Sequence, residues 1–164
     1  LIAAANPCPC GYFSHPSRPC ICSPAQVERY RNKLSGPLMD RIDLQVWVQP
    51  VSAQALSTDV PSETSAEVRT RVNTARDIQQ ARYSDTRLTC NAELQGDAIR
   101  AVSNPTPEAI SALQDITHRY SLSGRSWARI LKVGRTIADL EGCEKVQLKH
   151  IMESSGFRMD SNPS

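Results

Sequence analysis

The sequence predicts a mainly helical protein in two unequal parts. A short α/β remnant, with two strands, one helix and a cysteine-rich loop, precedes an all-helical unit. Three observations predict this. The strand-like runs all lie before about residue 55. From about Leu88 onward the apolar residues recur at helical spacing. Four of the six cysteines crowd into one proline-rich stretch near the start.

The elements follow in order. Leu1–Ala5 is an apolar run stopped by Asn6-Pro7 and reads as a buried strand, although alanine also favours helix. Residues 7–22 are a loop rich in proline and cysteine. Ser23-Pro24-Ala25-Gln26 opens a helix, with a capping serine, proline at the first helical position and glutamine three after the cap. That helix runs to about Leu34, where Ser35-Gly36-Pro37 ends it. Leu44–Val48 alternates in the manner of a strand and is closed by Pro50. The polar stretch Ser52–Ser62 reads as a linker. Thr64 and Glu67 form a second capping box, opening a basic helix with Val68, Val72, Ala75 and Ile78 as its apolar stripe. Further helices are expected over Leu94–Val102, Pro107–Tyr120, Ser123–Leu140 (ended by Gly142) and about Gln147–Ser154, with a frayed tail after Phe157. The helix containing Trp127, Ile130 and Ile137 should be the most buried. The expected division is 1–55, the α/β remnant; 56–87, linker and basic helix; and 88–164, the helical domain with its tail.

Composition excludes more than it names. A net charge of +2 over 164 residues argues against a purely electrostatic nucleic-acid binder. No run of eighteen apolar residues exists to span a membrane, and no signal peptide opens the chain. The apolar opening at Leu1 reads as the interior of a longer protein. Four cysteines clustered in one loop, with Cys90 and Cys143 standing apart, suit a cytosolic, cytoplasmic protein better than a secreted disulfide scaffold.

Cys8, Cys10, Cys20 and Cys22 form two C-x-C pairs that could enclose a tetrahedral zinc. His15 is a possible substitute ligand; free thiols or disulfides are the alternatives. Zinc is preferred on ligand count and clustering. Three other residues suggest chemistry. Asn6 follows an apolar strand, where open α/β sheets bind ligands, and an amide there can orient a water. Taken alone, Asn-Pro merely starts a turn. Arg41 lies between helix and strand, where a guanidinium can stabilise charge on a transferring phosphoryl group, or simply pair with Asp40 and Asp43 on the surface. Arg125 stands in the first turn of the strongest helix, an anion-attracting position. With Arg129 and Arg135 it also fits a solvated basic edge.

These signals gain weight from their order and wording. Ala3-Ala4-Ala5-Asn6-Pro7-Cys8-Pro9-Cys10-Gly11, Cys20-Ile21-Cys22-Ser23-Pro24 and Leu34 to Asp43 closely resemble the bacterial magnesium-chelatase-related AAA+ ATPases of the ComM/YifB competence group. Asn91-Ala92-Glu93-Leu94 and Arg135-Thr136-Ile137-Ala138-Asp139-Leu140 continue the likeness, which covers the chain to about residue 152. A looser likeness reaches the replicative MCM helicases. The resemblance implies the end of an AAA+ α/β core followed by its helical lid, in a homo-hexameric, ATP- and Mg²⁺-dependent DNA motor that promotes branch migration. It further implies Asn6 as sensor 1, Arg41 as an arginine finger acting on a neighbouring subunit, and Arg125 as the sensor 2 arginine. Two departures stand out: Gly134 replaces a common alanine, and residues after Met152 match poorly.

The chain contains no G-x-x-x-x-G-K-[ST] loop and no apolar strand ending in Asp-Glu. In the family those parts and the DNA-gripping hairpins lie upstream, so this stretch alone should neither hydrolyse ATP nor unwind DNA. Two other classes of function stay open: a chelatase-type subunit that remodels a partner protein, and a zinc-binding interaction module without a catalytic role. A phosphate loop upstream of Leu1 would exclude the second.

Overall fold

A computed structural model describes residues 1–33, 36–39, 41–51 and 63–159. Helix α1 spans Pro24–Asn32 and begins as its sequence dictates, with the Ser23 hydroxyl accepting from Gln26 N–H and the Gln26 side chain accepting from Ser23 N–H. A single helical turn, α2, occupies Gly36–Met39. The proline expected only to stop α1 instead lies in the first turn of this helix, where its missing N–H costs nothing. Helix α3, Ser65–Tyr83, is opened by the Thr64/Glu67 box. The expected linker, Ser52–Ser62, lies outside the described residues.

The remaining elements form the bundle. A 3₁₀ turn at Asn91–Glu93 leads to α4, Ala98–Ser103. This replaces the single helix expected over Leu94–Val102, because Gly96 adopts a left-handed φ of +54° and breaks the run. Thr106 caps α5, Pro107–Arg119, and Ser123 caps α6, Gly124–Leu140. Helix α6 ends in a Schellman closure: Cys143 N–H reaches Ala138 O at 2.8 Å and Gly142 N–H reaches Asp139 O at 3.1 Å. Helix α7, Leu148–Met159, runs well past the expected Ser154.

Helix α6 sits at the centre of this part. Ile130, Leu131 and Ala138 are fully buried, Ile137 nearly so, and Trp127 packs on the same core. Leu113 from α5 and Ile151 from α7 close over them, with Tyr83 and Leu94 sealing the α3 side. A lone parallel bridge between Pro105 and Val146 ties the two inter-helix connections, with Thr106 N–H on Val146 O at 2.9 Å.

The fold class is mainly α, as expected, but the two anticipated strands carry no ladder among the described residues. A strand exists by pairing its backbone with a neighbour. Leu1–Ala5 and Leu44–Val48 find no partner strand among the described residues. The alternation in the second survives with its apolar side outward: Val46 and Val48 are exposed, while Gln45 and Trp47 are half-buried. The apolar stripe of α3 is likewise used only in part. Val68 and Val72 are exposed; Ala75, Gln79 and Tyr83 are buried.

Candidate metal centre and anion-facing arginines

The cysteine loop doubles back on itself so that its two C-x-C pairs meet. Gly11, at φ +83°, closes a tight turn in which its N–H donates to Cys8 O at 3.0 Å. Cys22 arrives directly before the Ser23 cap, so the second pair is anchored to the start of α1. The Sγ atoms of Cys8, Cys10 and Cys20 lie 3.4, 3.6 and 3.7 Å apart, and all four sulfurs fall within 4.8 Å of one another. Four thiolates around zinc at Zn–S distances of about 2.3 Å would stand about 3.8 Å apart. The set therefore fits a tetrahedral thiolate-bound ion with little adjustment. His15 is not part of it: its Nδ1 accepts from the backbone N–H groups of Ser17 and Arg18 at 3.2 and 3.1 Å.

The sulfurs do not titrate alike. Backbone N–H groups of Tyr12 and Ile21 stabilise the Cys10 thiolate and bring its pKa down to about 6. At Cys20 the Cys22 N–H acts in the same direction, but burial and the adjacent sulfurs outweigh it and push the thiol up to about 12. Burial, chiefly, also raises Cys22. One negative charge is thus favoured and further ones are resisted, as expected of close-set thiols without a cation. A bound dication would reverse that balance and release protons.

The three residues tied to phosphate chemistry are all exposed. Asn6 precedes the cysteine turn, its Cγ beside Gly11, 4.0 Å from where a β-carbon there would lie. Arg41 follows α2 on a turn pinned by its own N–H to Leu38 O at 2.9 Å. Arg125 is the second residue of α6, beside the N-terminal amide groups. They sit on three different elements.

Arg135 departs from the expected basic edge. It is 1% exposed and lies inside a polar hub that sequence reasoning missed. Asp139, also 1% exposed, accepts from Arg82 Nη1 and Nη2 at 2.8 and 2.5 Å, from Asn91 Nδ2 at 2.7 Å and from Arg135 Nε at 3.1 Å. Arg135 spends its other donors on the backbone oxygens of Cys143, Glu144 and Ser103. Burial pushes the Asp139 carboxyl up, but the hydrogen bonds from Arg82 and Asn91 and the two guanidinium charges outweigh it and hold it below the ordinary carboxylate range. Arg82 is raised, first by its hydrogen bonds to Asp139; Arg135 is lowered, first by its burial. The available signal was the i,i+4 spacing of Arg135 and Asp139 on a helix otherwise apolar at those positions.

Glu141, Cys143 and His150 also bring ligand atoms within 4.8 Å of one another. Here the Glu141 carboxylate is taken up by a hydrogen bond from His150 and an ion pair with Lys149. The buried His150 accepts Gln147 N–H on Nδ1 at 2.9 Å, which leaves its proton on Nε2, 3.0 Å from Glu141 Oε2. Lys149 also contacts that carboxylate.

Both parts of the chain match one family. Residues 1–56 match "Magnesium chelatase, subunit ChlI", and residues 62–158 match "Magnesium chelatase, subunit ChlI C-terminal". The second match runs beyond Met152, so the tail of α7 is less divergent than its wording suggested. "Competence protein ComM" of Haemophilus influenzae and "Uncharacterized protein YifB" of Escherichia coli are each 37% identical over 159 residues, which is 96% of this chain and 30% of theirs. An uncharacterized protein of Mycobacterium tuberculosis is 37% identical over 160 residues, 96% of this chain and 31% of its own length. The chain thus spans about a third of the length of these relatives.

Proposed function

Because the chain belongs to the magnesium chelatase family of AAA+ ATPases, in its ComM/YifB group, we propose that it is the C-terminal part of a DNA motor. The whole protein would be a cytoplasmic, homo-hexameric ATPase promoting branch migration in recombination and natural transformation. Within this reading the helical part is the AAA+ lid, and Asn6, Arg41 and Arg125 are the groups that face nucleotide.

The chain's own contribution to ATP and Mg²⁺ chemistry is limited and specific. It supplies one amide and two guanidinium groups, all exposed, and these suit the oxygens of a triphosphate. Asn6 would orient a water by accepting one hydrogen bond and donating another. Arg125 would add its charge to the amide groups at the start of α6. Arg41 would neutralise charge developing on the transferring phosphoryl group of a neighbouring subunit. Zinc in the cysteine loop would be structural, because four thiolates leave no open coordination position.

Arg41 carries the reading. It is exposed at the end of a one-turn helix, on backbone held by a hydrogen bond, as a side chain reaching another molecule must be. In the full-length protein, Arg41→Ala should leave ATP binding nearly intact and lower hydrolysis by about three orders of magnitude or more. Mixing this variant with a phosphate-loop variant should restore part of the activity, since some interfaces then join an intact finger to an intact nucleotide site. Near-normal hydrolysis in Arg41→Ala would return it to a surface ion-pairing residue worth no more than about 1 kcal/mol. A motor acting on protein would show the same arginine dependence without stimulation by branched DNA.

A further inference from the structure

The segment that follows Arg41 is fastened to the helical bundle at consecutive points. Asp43 Oδ1 accepts from Arg129 Nε of α6 at 2.9 Å. The carbonyl of Ile42 accepts from Arg158 Nη1 of α7 at 3.0 Å. Gln45 N–H donates to Phe157 O of α7 at 3.0 Å, and Gln45 Nε2 turns back to Met39 O, at the end of α2, at 3.1 Å. Residues 42, 43 and 45 are therefore each held by one of two helices, within four residues of Arg41. Arg129 lies one turn after Arg125 on α6, so the two project from the same face of that helix.

These contacts are unlike the rest of residues 1–51. That region buries little apolar surface, with only Cys8 and Val27 buried among its described residues. Its attachment to the bundle at this point is polar and directional. Hydrogen bonds to fixed partners define position more narrowly than sliding apolar contact does. The Arg129 side chain is only 16% exposed, whereas Asp43 is 50% exposed, so the cation is held in the fold and the aspartate segment docks onto it.

We propose that Asp43, Arg129 and Arg158 form a clasp that makes the helical bundle the positioning framework for Arg41. Movement of α6 and α7 then carries the arginine with it. The proposal rests on the reading of Arg41 as a group acting on a neighbour's nucleotide. Asp43, Arg129 and Arg158 are positioning residues: they act through Arg41 and are not themselves assigned to touch phosphate. A displacement of about 1 Å in a catalytic group can cost up to about a hundredfold in rate, so loosening the clasp should register in turnover rather than in substrate affinity.

The test uses the full-length protein with Asp43→Ala, Arg129→Ala, their double variant and Arg41→Ala. Each clasp variant should lower kcat for ATP hydrolysis by about ten- to a hundredfold, with KM for ATP changed by less than about twofold. The double variant should be no slower than the slower single one, because both remove the same contact. Hydrogen exchange at the Gln45 amide should accelerate in Arg129→Ala. Wild-type kcat in both single variants beside an inactive Arg41→Ala would overturn the clasp and leave the finger intact. Multiplicative losses in the double variant would also overturn it, since the two residues would then act separately. If Arg41→Ala hydrolyses normally, the finger reading fails instead, and unchanged exchange at Gln45 is then the result that removes the clasp as well.

Discussion

Residues 1–51 and residues 63–159 belong to one chain but are held together by different physics. The second region folds around apolar side chains that meet: Leu113, Ile130, Leu131 and Ile151 are fully buried and drawn from three helices. The first leaves most of its apolar side chains outside any shared core, with Leu1 and Ile2 fully exposed and Val48 80% exposed. Its order comes from capped helix ends, a knot of four sulfurs and polar ties to the bundle. The residues proposed for phosphate chemistry divide accordingly. Asn6 and Arg41 stand on the region without a core, and Arg125 stands on the rim of the region with one. A core fixes its own residues, whereas groups that work on another molecule need exposure and must borrow rigidity from elsewhere.

The largest effect expected on this contrast lies in the bundle. Asp139→Ala should destabilise it by about 3–5 kcal/mol, since it leaves the buried Arg135 without its carboxylate and Arg82 without its bidentate partner. Chemical unfolding would measure this, and a loss below about 1 kcal/mol would mean that the hub is incidental. The same site sets a pH dependence. The folded carboxyl is held below the ordinary range, so its contribution is fully present above the unfolded carboxylate pKa. It is lost as pH falls through the folded value. Acid should therefore destabilise the wild type more steeply than the Asp139→Ala variant.

Sequence reading reached the capped elements and missed the buried polar ones, for a physical reason. Ser23/Gln26 and Thr64/Glu67 cap where expected, because a cap is a local contract between residues three apart. Asp139 draws Arg82 and Asn91 from positions 57 and 48 residues away, and no local pattern records that meeting. The strands failed for a related reason: alternation tells which face is apolar and says nothing about whether a neighbour is present. The cysteine set was legible because its two pairs are close in sequence and identical in spacing. The place of Arg125 in the first turn of α6 was legible from the helix boundary, whereas Arg41, expected between a helix and a strand, follows the unforeseen turn α2, and the ties from residues 42–45 to α6 and α7 left no local pattern.

A second test separates the two regions directly. Freshly purified full-length protein should carry about one zinc per chain, and a Cys8→Ser/Cys20→Ser double variant should lose it. Elemental analysis decides this, and equal zinc in both proteins would remove the site. Chelation should speed hydrogen exchange over residues 7–33 while moving bundle unfolding by less than about 0.5 kcal/mol, because distant sites without shared partners act independently. A bundle that unfolds on chelation would break the contrast drawn between the regions.

The smallest expected effect concerns Gly134, buried in the middle of α6 where α7 crosses it. A β-carbon there would stand 3.3 Å from Ile151 Cδ1, 3.4 Å from Val146 Cγ1 and 3.5 Å from His150 O. Two opposing effects follow. Alanine restores helix propensity, worth about 1 kcal/mol over glycine in a helix interior. Its methyl also crowds two side chains that the core already holds, and crowding of this kind costs stability. The closest atoms are the ends of Ile151 and Val146, which can shift by a few tenths of an ångström, and the backbone oxygen is already at ordinary contact distance. Propensity should win narrowly, so Gly134→Ala is expected to stabilise the bundle by about 0.5 kcal/mol. Gly134→Val adds two further methyl groups to the same gap and should destabilise by about 1–3 kcal/mol. If alanine instead costs more than about 1 kcal/mol, the α6–α7 contact is tighter than flexible side-chain ends can relieve, and glycine is required there by packing.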